Sequence, residues 1–361
     1  MKNFKKTLCG LLFGLVGFGA VAATVSDVKA RQRYPWNGKI DIDYTITGAD
    51  TTNTALAVTL TDHDTGKVYS LTERGRHQFT WNRRDLAVSN GAATVSLVRY
   101  SVFYCVIDLS GGPNAARWPV SYLSAVPSNG WTDEYKTTKL VLRQIPAGTF
   151  IMGDDQTDES HRVTLTKPFY MGVFEVTQKQ WELVMGLWPG SCPSSSYGRG
   201  DAYPAYYVSY NDISNFLGRL RAKTGLDFDL PTEAQWEYAC RAGTTTFFYW
   251  GEAKVGAYAW HGYNSGLYGS GGKAHPVGTK LPNAWGLYDM GGNVLEWCRD
   301  WYGTLAYGTD PVDLSWGWSR VQRGGSWSLV VECCASSDRG HLDPSNRDIS
   351  SGFRLVMALS D

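Results

Sequence analysis

Asn283-Ala-Trp-Gly-Leu-Tyr-Asp-Met-Gly-Gly-Asn-Val-Leu-Glu-Trp297 is the stretch around which the C-terminal two thirds of the chain is organised. It is dense in aromatics and glycine. Its centre, Asp289 to Glu296, holds two carboxylates, one amide and two glycines. Glycines let the main chain turn sharply and expose its carbonyls. A hard cation such as calcium takes six to eight oxygens from carboxylates, amides and main-chain carbonyls, and this loop can supply such a set without being an EF-hand. The same residues also suit a tight turn whose polar side chains satisfy their own backbone.

Outward from this stretch, five further segments stand in a fixed order: Ile145-Pro-Ala-Gly-Thr-Phe-Ile-Met-Gly153, Phe174-Glu-Val-Thr-Gln178, Leu230-Pro-Thr-Glu-Ala-Gln-Trp-Glu-Tyr-Ala-Cys-Arg-Ala-Gly243, Arg323-Gly-Gly-Ser-Trp327 and Gly352-Phe-Arg354. Together with the first they resemble the motifs of the formylglycine-generating enzyme, or sulfatase-modifying factor, family, from about Leu140 to the C-terminus. The resemblance implies an α+β, C-type-lectin-like fold with little regular structure. It implies a structural Ca²⁺ held by the carboxylates of Asp289 and Glu296 and the main-chain carbonyls of Gly292 and Val294, with Asn293 bracing the turn. It also implies an oxidase that uses O₂ and Cu⁺ to convert a cysteine of a target sulfatase to formylglycine.

Soft Cu⁺ requires thiolate ligands. By the resemblance, the first thiolate follows the Ser326 position by three residues, where this chain has Leu329, and the second falls on Cys334. Aligned instead from Gly352-Phe-Arg354, the second falls on Val331. Cys334 and Ser326 are the candidate catalytic residues of an oxidase. The family also implies a Cys240–Cys334 disulfide as the alternative role of Cys334, and Cys298 and Cys333 are a candidate second pair. Trp327, Arg339 and His341 would then line a groove for a peptide or glycan, the alternative to oxidation.

The 361 residues suggest two domains. With 34 basic and 34 acidic residues the formal net charge is zero, which favours neither nucleic acid nor an anionic membrane surface. Met1 to Ala23 reads as a signal peptide: Lys2, Lys5 and Lys6, an apolar run over Leu8–Ala20, and the small-residue signal Ala20-Val-Ala22. Cys9 lies too early in that run for a lipoprotein site. No later stretch is apolar enough to span a bilayer. The expectation is a periplasmic or extracellular protein, where disulfides can form. Six cysteines remain after Cys9, and their 15 pairings are not fixed by sequence. The absence of C-x-x-C and H-x-x-x-H argues against zinc.

Residues 24–126 read as a small all-β, immunoglobulin-like sandwich. Lys39–Ile46 and Ala55–Thr61 alternate polar and apolar residues, Asn90-Gly91 signals a hairpin, and Phe103–Ile107 is a further strand. His63 and His77 stand alone and specify no site. Residues 127–138 read as a linker and 139–361 as the second domain. There, Thr177–Gln180, Ser209–Asp212 and Thr232–Gln235 mark three helix starts. Ile213, Phe216, Leu217 and Leu220 form one apolar face, and Gly225 is placed to end that helix. Gly186–Tyr207 and Thr244–Pro276 are long loops, of the kind that carry function.

Overall fold

The computed structural model describes seven strands between residues 24 and 97, then residues 103–359 apart from 155–159, 191–192, 252–254, 268–270 and 314–315. The chain divides into two compact units, residues 1–101 with 360–361, and residues 102–359. The signal peptide, Cys9, His63 and Cys192 lie outside the described residues.

The first unit holds two antiparallel sheets. One joins Thr24–Gln32, Lys39–Thr47 and His77–Thr80; the other joins Val68–Leu71, Val58–Asp62, Leu86–Asn90 and Ala93–Leu97. Asn90 pairs with Ala93 in adjacent antiparallel strands at the Asn90-Gly91 hairpin signal.

The division between units corrects the expected boundary at residue 126. The strand Tyr104–Asp108 pairs with Lys139–Ile145, with Ile107 opposite Leu140, and so belongs to the second unit. Its alternation matched the strands before it, and pattern alone cannot say which sheet a strand joins. Residues 127–138 are likewise no free linker. A 3-10 turn spans Asp133–Lys136, and its buried Tyr135 packs with Trp131 at 5.0 Å between ring centroids. Two aromatic anchors hold an otherwise polar segment to the core.

The second unit is built on a six-stranded sheet, in the order Phe228–Asp229, Val356–Ala358, Phe169–Gly172, Lys139–Ile145, Tyr104–Asp108 and Val120–Leu123. A four-stranded sheet joins Arg339–Leu342, Arg320–Arg323, Leu295–Trp301 and Ser351–Gly352. Three helices, α1 (Gln178–Met185), α2 (Tyr210–Thr224) and α3 (Glu233–Arg241), start where the sequence marked them. At each start both hydrogen bonds of a capping box form, which satisfies two main-chain N–H groups that a helix leaves open. Helix α2 buries Ile213, Phe216, Leu217 and Leu220 and stops at Gly225 in the left-handed region. Trp181, Phe216 and Phe353 pack together in the core beside this helix. The architecture is α+β and β-rich, with long irregular loops.

Candidate functional site

The opening stretch is fastened at both ends. Asn283 donates its side-chain amide to the carbonyls of Ala239 and Cys240 at the end of α3, and its side-chain oxygen accepts from the N–H groups of Trp285 and Leu287. Asp289 and Asn293 both sit at positive φ. Asp289 accepts from the Gly278 N–H at 2.6 Å. Asn293 donates to Glu175 at 2.7 Å and to the His275 carbonyl, and accepts from the His275 N–H at 2.9 Å. The second oxygen of Glu175 accepts from the Val294 N–H.

Both oxygens of Glu296 are engaged by side-chain donors. One of its oxygens accepts from Arg354 Nη2 at 2.7 Å, and the other from Trp236 Nε1 at 2.7 Å and from Arg354 Nε at 3.0 Å. Arg354 is fully buried and donates also to the carbonyls of Gly172 and Tyr288. Glu296 is therefore an ion-pair partner before it is anything else.

Glu175, Asp289 and Glu296 are all buried and close enough to repel one another. Burial, then the charges of Asp289 and Glu296, push Glu175 well above the usual carboxylate range. Burial raises Asp289 to about 6 against the opposing Gly278 hydrogen bond. Three carboxylates thus face one guanidinium. Among the described residues no three His, Cys, Asp or Glu side chains converge as a ready metal cage. Glu175 is a site residue that sequence reasoning does not reach; its only signal is a carboxylate inside an apolar run.

The Arg323-Gly-Gly-Ser-Trp327 segment is tied to α3. Arg323 is fully buried, pairs with Glu237, and lies 3.3 Å from Glu233. Arg339 grips Glu233 with two bonds of 2.7 and 2.8 Å, and Arg241 pairs with Glu237 at 2.8 Å. Asp300 accepts from the Glu233 N–H at the start of α3 and from the Asp313 N–H. Burial raises Asp300 to about 6. The folded chain therefore keeps this proton between about pH 4 and 6, where the unfolded chain has released it. Its contribution is most favourable below that window and declines as pH rises through it, by about 3 kcal/mol. Urea unfolding should accordingly show wild type losing about that much more stability than Asp300→Asn between pH 4 and 7.

Ser326 is buried, and its hydroxyl meets the Ser328 hydroxyl at 3.0 Å. The adjoining loop is clasped to the loop at His261–His275: Ser265 Oγ donates to the Trp327 carbonyl, and the Gly262 N–H donates to the Leu329 carbonyl. His261 Nδ1 and His275 Nε2 are buried with no hydrogen-bond partner. Burial, then Lys273 and Lys280, lower His275 to about 4, so it is neutral near pH 7. Tyr263 and Val330 are exposed on this face.

The expected groove is not one site. Trp327 is buried against Tyr206, Ala274 and Val294, whereas Arg339 and His341 lie on the four-stranded sheet, both against Tyr302.

The thiols depart from both sequence readings. Cys240, Cys298, Cys333 and Cys334 stand as thiols, so neither the Cys240–Cys334 nor the Cys298–Cys333 bridge is formed. Cys240 and Cys334 do share one apolar cluster with Met290. Burial pushes the Cys240 thiol up to about 12, and the Cys334 thiol is also raised far above its ordinary range, chiefly by burial. Cys333 and Cys334 lie in a 3-10 turn with only Cys334 buried. A Cu⁺ dithiolate does not fit: Leu329 offers no sulfur, and Cys334 is held in the core as a thiol.

Residues 132–359 match the family model of the sulfatase-modifying factor enzyme 1-like domain. The chain belongs to this sulfatase-modifying factor family. The chaperone protein LppX of Paenibacillus barcinonensis is 27% identical over 284 residues, 66% of this chain and 95% of that protein. The formylglycine-generating enzyme of Mus musculus is 34% identical over 181 residues, 45% of this chain and 46% of the enzyme. This sulfatase-modifying factor relative thus spans about half the length of that curated enzyme. Among solved structures, Treponema denticola variable protein 1 aligns with a TM-score of 0.55 and 29% identity, over 62% of this chain and 96% of that one. PvdO from Pseudomonas aeruginosa aligns with a TM-score of 0.53 and 28% identity, over 61% and 94%.

Proposed function

We propose that this family member is exported and binds an extended peptide segment of a protein partner, without oxidising it. The burial of Cys334 in the core, with Leu329 standing where the first thiolate would be, carries the reading. An oxidase of the implied kind needs two accessible thiolates, and this site supplies neither. What it presents instead is the exposed Val330 and Tyr263 beside the half-buried Leu329, on two loops clasped by the Gly262 N–H to the Leu329 carbonyl and by Ser265 Oγ to the Trp327 carbonyl. No helix among the described residues is long and apolar enough to cross a membrane.

A Ca²⁺ held by Asp289 and the carbonyls of Gly292 and Val294, with Glu296 shared with Arg354, belongs to the same reading. Its support is the surplus of buried negative charge. Such an ion would supply no chemistry; it would fix the turn that positions Asn293 and the Trp327 loop.

The test is a Cu⁺ titration against a competing chelator, with metal analysis of protein purified in calcium and a cysteine-peptide oxidation assay. The expected results are no retained copper, no peptide oxidation, and one calcium per chain that Asp289→Asn removes. One copper per chain, lost in Cys334→Ala, would restore the oxidase. Selection from a random peptide library should yield ligands that Val330→Asp weakens about tenfold or more. A library that enriches nothing would refute peptide binding.

A further inference from the structure

The connection between the strands Leu295–Trp301 and Arg320–Arg323 turns large aromatic side chains to solvent. Trp316 and Trp318 are 73% and 79% exposed, and their rings meet edge to face at 4.7 Å. Exposure of this order is usual for a single ring, but not for a pair of the largest apolar side chains.

The pair is held from beneath. A Cβ on Gly317, between the two tryptophans, would lie 2.9 Å from Trp301 Cβ and 3.1 Å from its ring. The glycine therefore packs its main chain on Trp301, which leaves the side chains on either side no place but outward. The Arg320 guanidinium in turn lies 3.6 Å over the Trp301 ring. The Tyr302 N–H donates to the Ser319 carbonyl, which joins this loop to a second aromatic group. Tyr302 lies tilted against His341 at 4.2 Å, and the Arg339 guanidinium covers it at 4.8 Å.

The composition of this end of the sheet argues for its occupant. The exposed rings Tyr302, Trp316 and Trp318 are aromatic, while the exposed aliphatic side chains, such as Ile151, Leu187 and Leu281, come from other segments. Residues 299–320 carry two arginines, three aspartates and no lysine, which gives an anionic lipid surface no attraction. Rigid indole faces with a near-neutral polar rim match a pyranose ring, which stacks its C–H face on the π-system and offers its hydroxyls to side chains around it. We propose that Trp316 and Trp318, continued by Tyr302 and His341, form a binding platform for a neutral oligosaccharide. The platform is independent of the peptide surface at Leu329 and Val330.

The test is calorimetric titration of the full chain with cellohexaose, chitohexaose and a mannan hexasaccharide. Wild type is compared with Trp316→Ala/Trp318→Ala and with His341→Ala. The expected result is binding of at least one sugar with a Kd below about 1 mM, weakened about tenfold or more in the double variant and less in His341→Ala. Both rings are exposed, so the double variant should keep the wild-type melting temperature. If none of the three sugars binds, or the double variant binds equally well, the proposal fails. It also fails if the double variant abolishes self-association in sedimentation, or binding to phosphatidylcholine vesicles, while no sugar binds.

Discussion

Arg354→Met should lower the unfolding free energy by about 3–5 kcal/mol, the usual cost of removing one partner of a buried ion pair. Arg354 is set against Glu175, Asp289 and Glu296, and all of these side chains are buried. Its removal leaves Glu296 with Trp236 as its remaining donor and takes a donor from the carbonyls of Gly172 and Tyr288. The defect is mainly one of charge, so neutralising a carboxylate should repair part of it. Arg354→Met/Glu296→Gln should be more stable than Arg354→Met alone, and the penalty of the single variant should shrink as pH falls and the carboxylates take up protons. Urea unfolding at pH 5 and pH 7 measures both. A single variant as stable as wild type at pH 7 would show that the carboxylates are neutral or otherwise compensated.

Gly292→Ala should be the most damaging change that adds one methyl group. At φ +91 any side chain is disfavoured, and the added Cβ would lie 2.2 Å from the Trp260 carbonyl oxygen and 2.8 Å from its nitrogen. That backbone cannot retreat, because Asn293 donates to the Trp260 carbonyl and Gly292 to the Gly324 carbonyl. Gly243→Ala is the control: φ is +95 there, but a Cβ meets nothing within 4 Å. Gly243→Ala should cost about 1 kcal/mol from conformation alone. Gly292→Ala should cost several times that or prevent folding. Comparable melting temperatures for the two variants would contradict the close approach at Trp260.

The parts of this fold that the sequence made legible are those with local causes. Thr177, Ser209 and Thr232 announced their helices because a capping box needs only residues three apart. The apolar face of α2 and the stop at Gly225 are equally short-range. The candidate site was less legible because its partners are distant. Glu175 reaches Asn293 across 118 residues and Arg354 reaches Glu296 across 58, and no spacing rule joins them. Glu296 is both a plausible oxygen ligand and a plausible ion-pair partner by residue type, and only the buried Arg354 decides which bonds it makes. Cys240 and Cys334 read as a bridge by family pattern, but the structure keeps them as buried thiols in one apolar cluster. The boundary between units was misplaced for a different reason. The strand Tyr104–Asp108 has the same alternation as those before it, and its allegiance is set by register against Lys139–Ile145.

The loop from Ser326 to Ala335 is held by the buried side chains of Ser326, Trp327, Cys334 and Ala335 and by its main chain. Trp327 N–H reaches the Asn293 carbonyl, the Leu329 carbonyl receives Gly262, and Cys333 and Ala335 bond back to Val330 and Glu332. The half-buried or exposed side chains of Ser328, Val330, Val331 and Glu332 carry less of the folding than these anchors, although the Ser328 hydroxyl meets that of Ser326. Substitutions at these positions can accumulate with small effects on stability, so the surface can be rewritten toward new ligands while the scaffold stays the same. A saturation library confined to these four positions should therefore remain mostly folded, which makes this face a natural starting point for selecting new binding specificities.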